Sequence, residues 1–241
     1  MEEKIQLLKQ IIDNSKNIVF FGGAGVSTES GILDFRSETG LYKLKSKYGQ
    51  PYEVMLSHTY FVEHTDTFYK FYREFMINTK AMPNDAHRYL AYLEKQKNLT
   101  VITQNIDGLH QKAGSKNVIE LHGSIHRNYC NNCHKLYNLE DILQMNNIPR
   151  CPVCGGLIKP DVVLYEEPLN EDTIYSAIKA IKEADLLIVA GTSLNVYPAA
   201  SFIYYFTGKN LVVINKDDLN KIQNATLKIN GKVGEIFKQL Y

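Results

Sequence analysis

Four short runs punctuate the chain: Ile18-Val19-Phe20-Phe21, Thr100 to Thr103, Leu186 to Ala190 and Leu211 to Ile214. They are apolar or β-branched and lack the polar alternation of a half-exposed strand. Such continuous runs suit strands buried on both faces, as in a parallel sheet. The stretches that join them include helical patterns. Ile5, Leu8, Ile11 and Ile12 recur at helical spacing within residues 2–14, and further patterns lie around Asp85 to Gln96 and Asn170 to Glu183. Strands that alternate with helices predict an α/β chain.

The expected fold is a Rossmann-like parallel sheet with helices on both faces, plus a smaller lobe. Two stretches break the alternation: Tyr- and Phe-rich residues 40–80, helical in period, and residues 126–156, which hold all four cysteines. Read as insertions, they give a large lobe of 1–39, 81–125 and 157–241 and a small lobe of helical insertion 40–80 and zinc ribbon 126–156. The whole, 1–241, is expected to be one domain. Its inter-lobe cleft is where a ligand is expected.

Composition narrows the function. With 27 basic and 26 acidic residues the formal charge is +1, which argues against a nucleic-acid binder working through phosphate attraction. No segment approaches the ~20 apolar residues that cross a bilayer. Met1-Glu2-Glu3-Lys4 opens a charged, helical start without a signal-peptide core. The expected location is cytoplasmic, and there the cysteines stay reduced.

Cys130-x2-Cys133 and Cys151-x2-Cys154 are 17 residues apart, the spacing of a tetrahedral zinc ribbon. The competing readings are a redox dithiol or unrelated core thiols. Four cysteines would fill the sphere of one Zn2+, leaving no position for water, so the metal is expected to be structural. Arg127, Lys135, Arg150 and Lys159 make no basic stripe beside it.

After the first run comes Gly22-Gly23-Ala24-Gly25-Val26-Ser27. Bare amides after a strand can cradle a phosphate, although a plain tight turn looks the same. Read as G-x-G-x-x-G the third glycine would be Thr28, and no acidic residue ends a second strand about 20 positions on. An ordinary NAD-dependent dehydrogenase is disfavoured.

The ordered motifs Gly23-Ala24-Gly25-Val26-Ser27-Thr28, Asp34-Phe35-Arg36, Thr103-Gln104-Asn105-Ile106-Asp107-Gly108-Leu109-His110, Leu121-His122-Gly123, Lys159-Pro160-Asp161-Val162-Val163, Gly191-Thr192-Ser193-Leu194 and Ile214-Asn215-Lys216 resemble those of the sirtuins. These are NAD-dependent protein-lysine deacylases, and the resemblance covers essentially the whole chain, as in the compact bacterial members. It implies that NAD is consumed as co-substrate, its pyrophosphate on the Ala24 to Thr28 loop. Gln104 would meet the nicotinamide ribose, with Asn105, Ile106 and Asp107 around the nicotinamide end. Thr192 and Ser193 would hold phosphate or ribose, and Asn215 the adenosine ribose. Phe35 would shield the reacting carbon and Arg36 order the loop; Gly23, Gly25, Ser27, Thr28, Asp34, Gly191 and Lys216 complete the cofactor set. His122 would act as general base beside Asn105 and Asp107, a role its ordinary pKa near 6.5 suits. Val162 and Val163 would pair with a substrate peptide whose acyl-lysine enters the inter-lobe cleft. Taken alone, His122 reads equally as a structural side chain, and Asn105 and Asp107 as turn formers.

Three departures stand out: Leu33 for a usual proline, Gly22 for a common threonine, and Glu166 for a glycine beside the peptide groove. The succinyl-removing branch uses a Tyr-x-x-Arg pair; here Tyr69 is followed by Tyr72, with Arg73 one residue off register. The expectation is acetyl or longer apolar acyl groups. Competing functions are protein mono-ADP-ribosyl transfer and a non-enzymatic, NAD-sensing zinc-ribbon module.

Overall fold

The computed structural model describes residues 1–33, 47–217, 219 and 222–241. The family-derived Asp34, Phe35 and Arg36 lie outside these described residues.

Helix α1 (Glu2–Asn14) buries Ile5, Leu8, Ile11 and Ile12, the stripe its spacing predicts. Strand β1 (Asn17–Gly22) follows; β2 is Asn98–Thr103, β3 Val118–Glu120, β7 Leu186–Ala190, β8 Asn210–Asn215 and β9 Leu227–Asn230. They form a six-stranded sheet in the order β3-β2-β1-β7-β8-β9, each described pairing parallel. All four runs read from the sequence are strands of this sheet. Ile18 and Phe20 pack into the apolar layer on one face, with α1, and Val19 and Phe21 into the layer on the other. Both phenylalanines are fully buried, which stabilises by about 1.5–3 kcal/mol each. No polar alternation is possible in a strand covered on both sides.

The strand order reverses at β1, where an α/β sheet opens a crevice beyond its carboxyl ends. Register aligns those ends: Gly22 opposes Thr103 and Ala190, Thr103 opposes Glu120, and Ala190 opposes Ile214. The motif residues that follow β1, β2, β3, β7 and β8 continue this row within a few positions, whereas Lys159 to Val163 lie outside it.

A three-stranded antiparallel sheet, β5-β4-β6, stands apart, built from β4 (Gly123–Cys130), β5 (Leu136–Asn138) and β6 (Ile158–Val162). The start of β4 and all of β6 fall in stretches that the sequence assigns to the large lobe, whereas β5 lies within the ribbon. Short helices α2 (Tyr52–Met55), α3 (His58–Glu63) and α4 (Thr65–Phe71), then a π-helical turn over Tyr72–Met76, pack an aromatic core against it. The remaining helices are α5 (Asp85–Leu93), α6 (Leu109–Ala113), α7 (Leu139–Gln144), α8 (Glu171–Glu183) and α9 (Val233–Lys238). Among the described residues no helix is long and apolar enough to cross a membrane.

Candidate active site

Two glycine loops interlock at the floor of the cleft. The Gly23 and Gly25 amides donate to the Ala190 and Gly191 carbonyls, at 3.2 and 2.8 Å. A Cβ on Gly25 would lie 2.8 Å from the Gly191 Cα, and one on Gly23 2.9 Å from the Gly191 oxygen. Gly191 itself has φ +58° and sits against the Val26 amide. Only glycine permits this approach, and Ala24 and Ser27 of the loop border a cleft of about 530 Å3. That cradle fits a nucleotide phosphate.

Ala24, Ser27, Gln104, Asn105, Ile106, Asp107, His122, Val162 and Val163 all line this one cleft. Asn105 Nδ2 donates to the Gly23 carbonyl at 3.0 Å and to Ser27 Oγ at 3.1 Å. The Ser27 hydroxyl in turn donates to Asp107 Oδ2 at 2.6 Å, and the Leu109 amide to Oδ1 at 2.9 Å. Burial pushes the Asp107 carboxyl above the usual range; the two donors hold it down, the Glu120 charge adds to the rise and His126 opposes it. Gln104 Nε2 reaches Thr192 Oγ1 at 3.1 Å, which joins the loop after β2 to the loop after β7.

His122 Nδ1 lies 2.8 Å from the Gln104 carbonyl oxygen. A carbonyl can only accept, so Nδ1 carries the proton and Nε2 the basic lone pair. The bond fixes the tautomer that a general base needs.

Gly23, Gly25, Gly191 and Thr192 pack together in the interlocked loops, Thr192 meeting Gln104. Thr28 Oγ1 turns back to the Gly25 carbonyl, Asn215 Nδ2 binds the Asp217 carbonyl, and Ser193 follows Thr192 half-buried. Lys216 is exposed. None of these four borders the described cleft.

The sequence gives no hint of the opposite wall. Tyr52 and Leu56 from the first short helix, and Phe75 and Met76 from the π-helical turn, line it. An aromatic-rich insertion was legible; which aromatics face the cleft depends on a turn wound at neither helical period. Glu166, with φ +76°, does border the cleft, yet its carboxylate accepts from the Thr59 amide and hydroxyl, both at 2.8 Å. Its charge is tied to the first turn of α3. Arg73 extends away from the acyl wall: its guanidinium donates to the Ile142, Met145 and Asn146 carbonyls at the end of α7. Tyr69 is buried, its hydroxyl on the Ile158 carbonyl.

The four cysteine sulfurs converge within 4.8 Å of one another, with Cys130–Cys154 at 3.4 Å and Cys133–Cys151 at 3.6 Å. Tetrahedral thiolates around zinc stand about 3.8 Å apart, so the set fits the ion. The Tyr137 hydroxyl at 3.0 Å from Cys151 and the Asn132 amide at 3.4 Å from Cys130 supply outer donors to two sulfurs.

The Sir2 family model matches residues 23–198. The chain is 57% identical to the NAD-dependent protein deacetylase of Clostridium acetobutylicum over 238 residues, 98% of this chain and 97% of that one. It is 58% identical to that of Clostridium tetani over 231 residues, 95% and 94%. A solved structure titled as Sir2 with p53 peptide and NAD+ superposes with TM-score 0.87 at 38% identity, covering 98% of this chain and 97% of that one. Another, of a Sir2 variant with deacetylated p53 peptide and 3'-O-acetyl-ADP-ribose, gives TM-score 0.88 at 39% identity with the same coverage.

Proposed function

The chain belongs to the Sir2 family and is an NAD-dependent protein deacetylase, and from that premise we propose which of its residues carry the reaction. The observation that supports the assignment most is the convergence of Asn105, Asp107 and His122 on one cleft above the interlocked glycines. NAD, with one water, would supply the acyl acceptor: its ribose releases nicotinamide and receives the acyl group, so acyl-lysine, NAD and water give lysine, nicotinamide and O-acyl-ADP-ribose. His122 Nε2 takes the proton of the attacking ribose hydroxyl, its ring held by the Gln104 carbonyl. Asn105 and Asp107, braced through Ser27, hold the nicotinamide end, and Gly23 to Thr28 with Gly191, Thr192 and Ser193 hold the phosphates and ribose. Asn215 and Lys216 take the adenosine end; Asp34, Phe35 and Arg36 keep the roles the family resemblance implies. Val162 and Val163 pair with an extended acyl-lysine peptide. One Zn2+ on Cys130, Cys133, Cys151 and Cys154 is structural.

The division into a sheet lobe and a smaller lobe of helical insertion and ribbon is part of the same reading, because the cleft lies between their linings. Thiolate ligands need a reducing compartment, which supports a cytoplasmic location.

The acyl preference follows from the insertion. With Tyr69 and Arg73 engaged elsewhere and Tyr72 buried, no described cation lines the acyl wall to meet a carboxylate. Acetyl-lysine is expected to turn over at least tenfold faster than succinyl-lysine, by kcat/KM on matched peptides; equal rates would sink this assignment. A 1.4 kcal/mol difference gives that factor, modest for an unpaired carboxylate.

The deciding experiment follows peptide mass and free nicotinamide together, with and without NAD. Matched, NAD-dependent loss of acetyl and release of nicotinamide, abolished in His122→Ala, is the expected result. Nicotinamide release with ADP-ribose retained on protein and the acetyl group untouched would overturn it.

A further inference from the structure

Strand β4 leaves its ladder at one point. Ser124 opposes Asp161, yet the next paired residue, Asn128, opposes Pro160, the very next position back along β6. Ile125, His126 and Arg127 are therefore extra to the β4–β6 pairing, a bulge in the strand that leads from His122 to the first zinc ligand, although Arg127 stays paired with Asn138 of β5 on the other edge. Bulges re-aim side chains and recur beside active sites. Here Ile125 and His126 bond to Ile106 and Asp107, which line the cleft, and Arg127 bonds to residues beside it.

The Ile125 amide donates to the Ile106 carbonyl at 3.1 Å. The His126 ring donates from Nε2 to the Asp107 carbonyl, also at 3.1 Å, and lies where a Cβ on Gly108 would be, 2.7 Å away. Arg127 reaches furthest. Its Nε donates to Asp161 Oδ2 and its terminal nitrogen to Glu120 Oε2, both at 2.7 Å. Glu120 is nearly buried, and its other oxygen accepts from Gln111 Nε2 of α6 at 2.8 Å.

A polar chain Gln111–Glu120–Arg127–Asp161 thus crosses four elements. Each carries a site residue next door: α6 follows Asp107, β3 leads into His122, and Asp161 precedes Val162. Where the β4–β6 ladder is interrupted, the Arg127–Asp161 contact spans the gap.

We propose that Arg127, carried on this bulge, is a positioning residue that sets His122 through Glu120 and the peptide-pairing strand through Asp161. The inference rests on the roles given above to His122 and Val162. Its two arms act on different parameters. The Glu120 arm bears on the base, hence on kcat; the Asp161 arm bears on the groove, hence on peptide affinity. Lysine cannot replace the fork, because a single ammonium does not present two donors in the fixed directions the two carboxylates require.

The test uses zinc-loaded full-length protein and the variants Arg127→Gln, Arg127→Lys, Glu120→Gln and Asp161→Asn. Affinity for a fluorescent acetyl-lysine peptide is measured by anisotropy without NAD, then kcat and both KM values. Arg127→Gln is expected to weaken peptide binding and lower kcat, each on the order of fivefold, with KM for NAD within about twofold. Asp161→Asn should raise peptide Kd and KM with kcat near wild type, and Glu120→Gln should do the reverse. Arg127→Lys should recover less than half of either loss.

Wild-type values in Arg127→Gln overturn the proposal. So does a uniform loss across peptide, NAD and kcat in Glu120→Gln and Asp161→Asn, the mark of a merely structural ion pair. Should Arg127→Gln fail to fold, those two single-arm variants decide alone. Wild-type and His122→Ala controls separate this from the underlying reading: an inactive wild type, or an active His122→Ala, indicts the site assignment rather than the bulge.

Discussion

Asp107 is held as an acceptor by the Ser27 hydroxyl and the Leu109 amide, yet burial still lifts its carboxyl above the usual range. The donors thus recover only part of the solvation lost, and the ionised form costs the fold stability that its function requires. A carboxyl raised in the folded state stabilises most below the unfolded value of about 3.9 and loses that contribution as pH rises through the folded value. Asp107→Asn, of the same shape without charge, is therefore expected to melt at a higher temperature than wild type at pH 7.5, while deacetylation falls by about a hundredfold or more. Melting curves at falling pH check the cause, since the gap should narrow as the wild-type carboxyl takes its proton. A variant less stable than wild type at pH 7.5 would mean that the hydrogen bonds outweigh the burial.

At the scale of elements, the ribbon's own apolar core is small. Its apolar cluster is Cys130, Tyr137, Ile142, Cys151 and Ile158, with Met145 alongside, and two of these are themselves ligands. A core of that size does not fold unaided, whereas structural zinc contributes roughly 10–16 kcal/mol of binding free energy in small domains. Cys154→Ser is expected to lose zinc and to open residues 131–157 to protease, while the six-stranded sheet persists by circular dichroism. Activity should go with it, because β4 runs unbroken in chain from Gly123 beside His122 to Cys130. A metal-free variant that resists protease and keeps its rate would show the ribbon to be self-supporting. The sequence foretold this module well, because four ligands at fixed spacing leave few arrangements. It did not foretell the bulge at Ile125–Arg127, whose cause is a register shift against β6, nor β9 and α9, which lie beyond the last recognisable run.

Across the whole molecule, legibility tracks how far apart the partners lie. The parallel sheet was readable because each strand is apolar on both faces by itself, and most of the cleft because its motifs end those strands along one registered row. Pairings between distant segments left no local pattern. The clearest instance is a buried histidine pair between α5 and α6: His87 and His110 have ring centroids 4.6 Å apart and are 0% and 1% exposed. In the sequence His110 is only part of a motif, and His87 belongs to none. Burial, with Arg88 near, lowers His87 to about 4; burial, with His87 near, lowers His110 well below its usual value. Both are neutral in the fold and would charge once unfolded. Depressed folded-state values of this kind give stability that is present above pH 6.5 and lost as pH falls, because the unfolded chain then binds more protons. The slope is about 1.4 kcal/mol per pH unit for each histidine, from pH 6.5 down to about 4 for His87. Denaturant titrations at pH 7.5, 6, 5 and 4.5 should show this steepening, in a window where exposed carboxylates are still largely ionised. His110→Gln removes one titration and should roughly halve the slope while lowering stability at pH 7.5. A wild-type curve that stays flat from pH 7 to 5 would mean that the pair is protonated in the fold, and that the charge is met by an acceptor between α5 and α6.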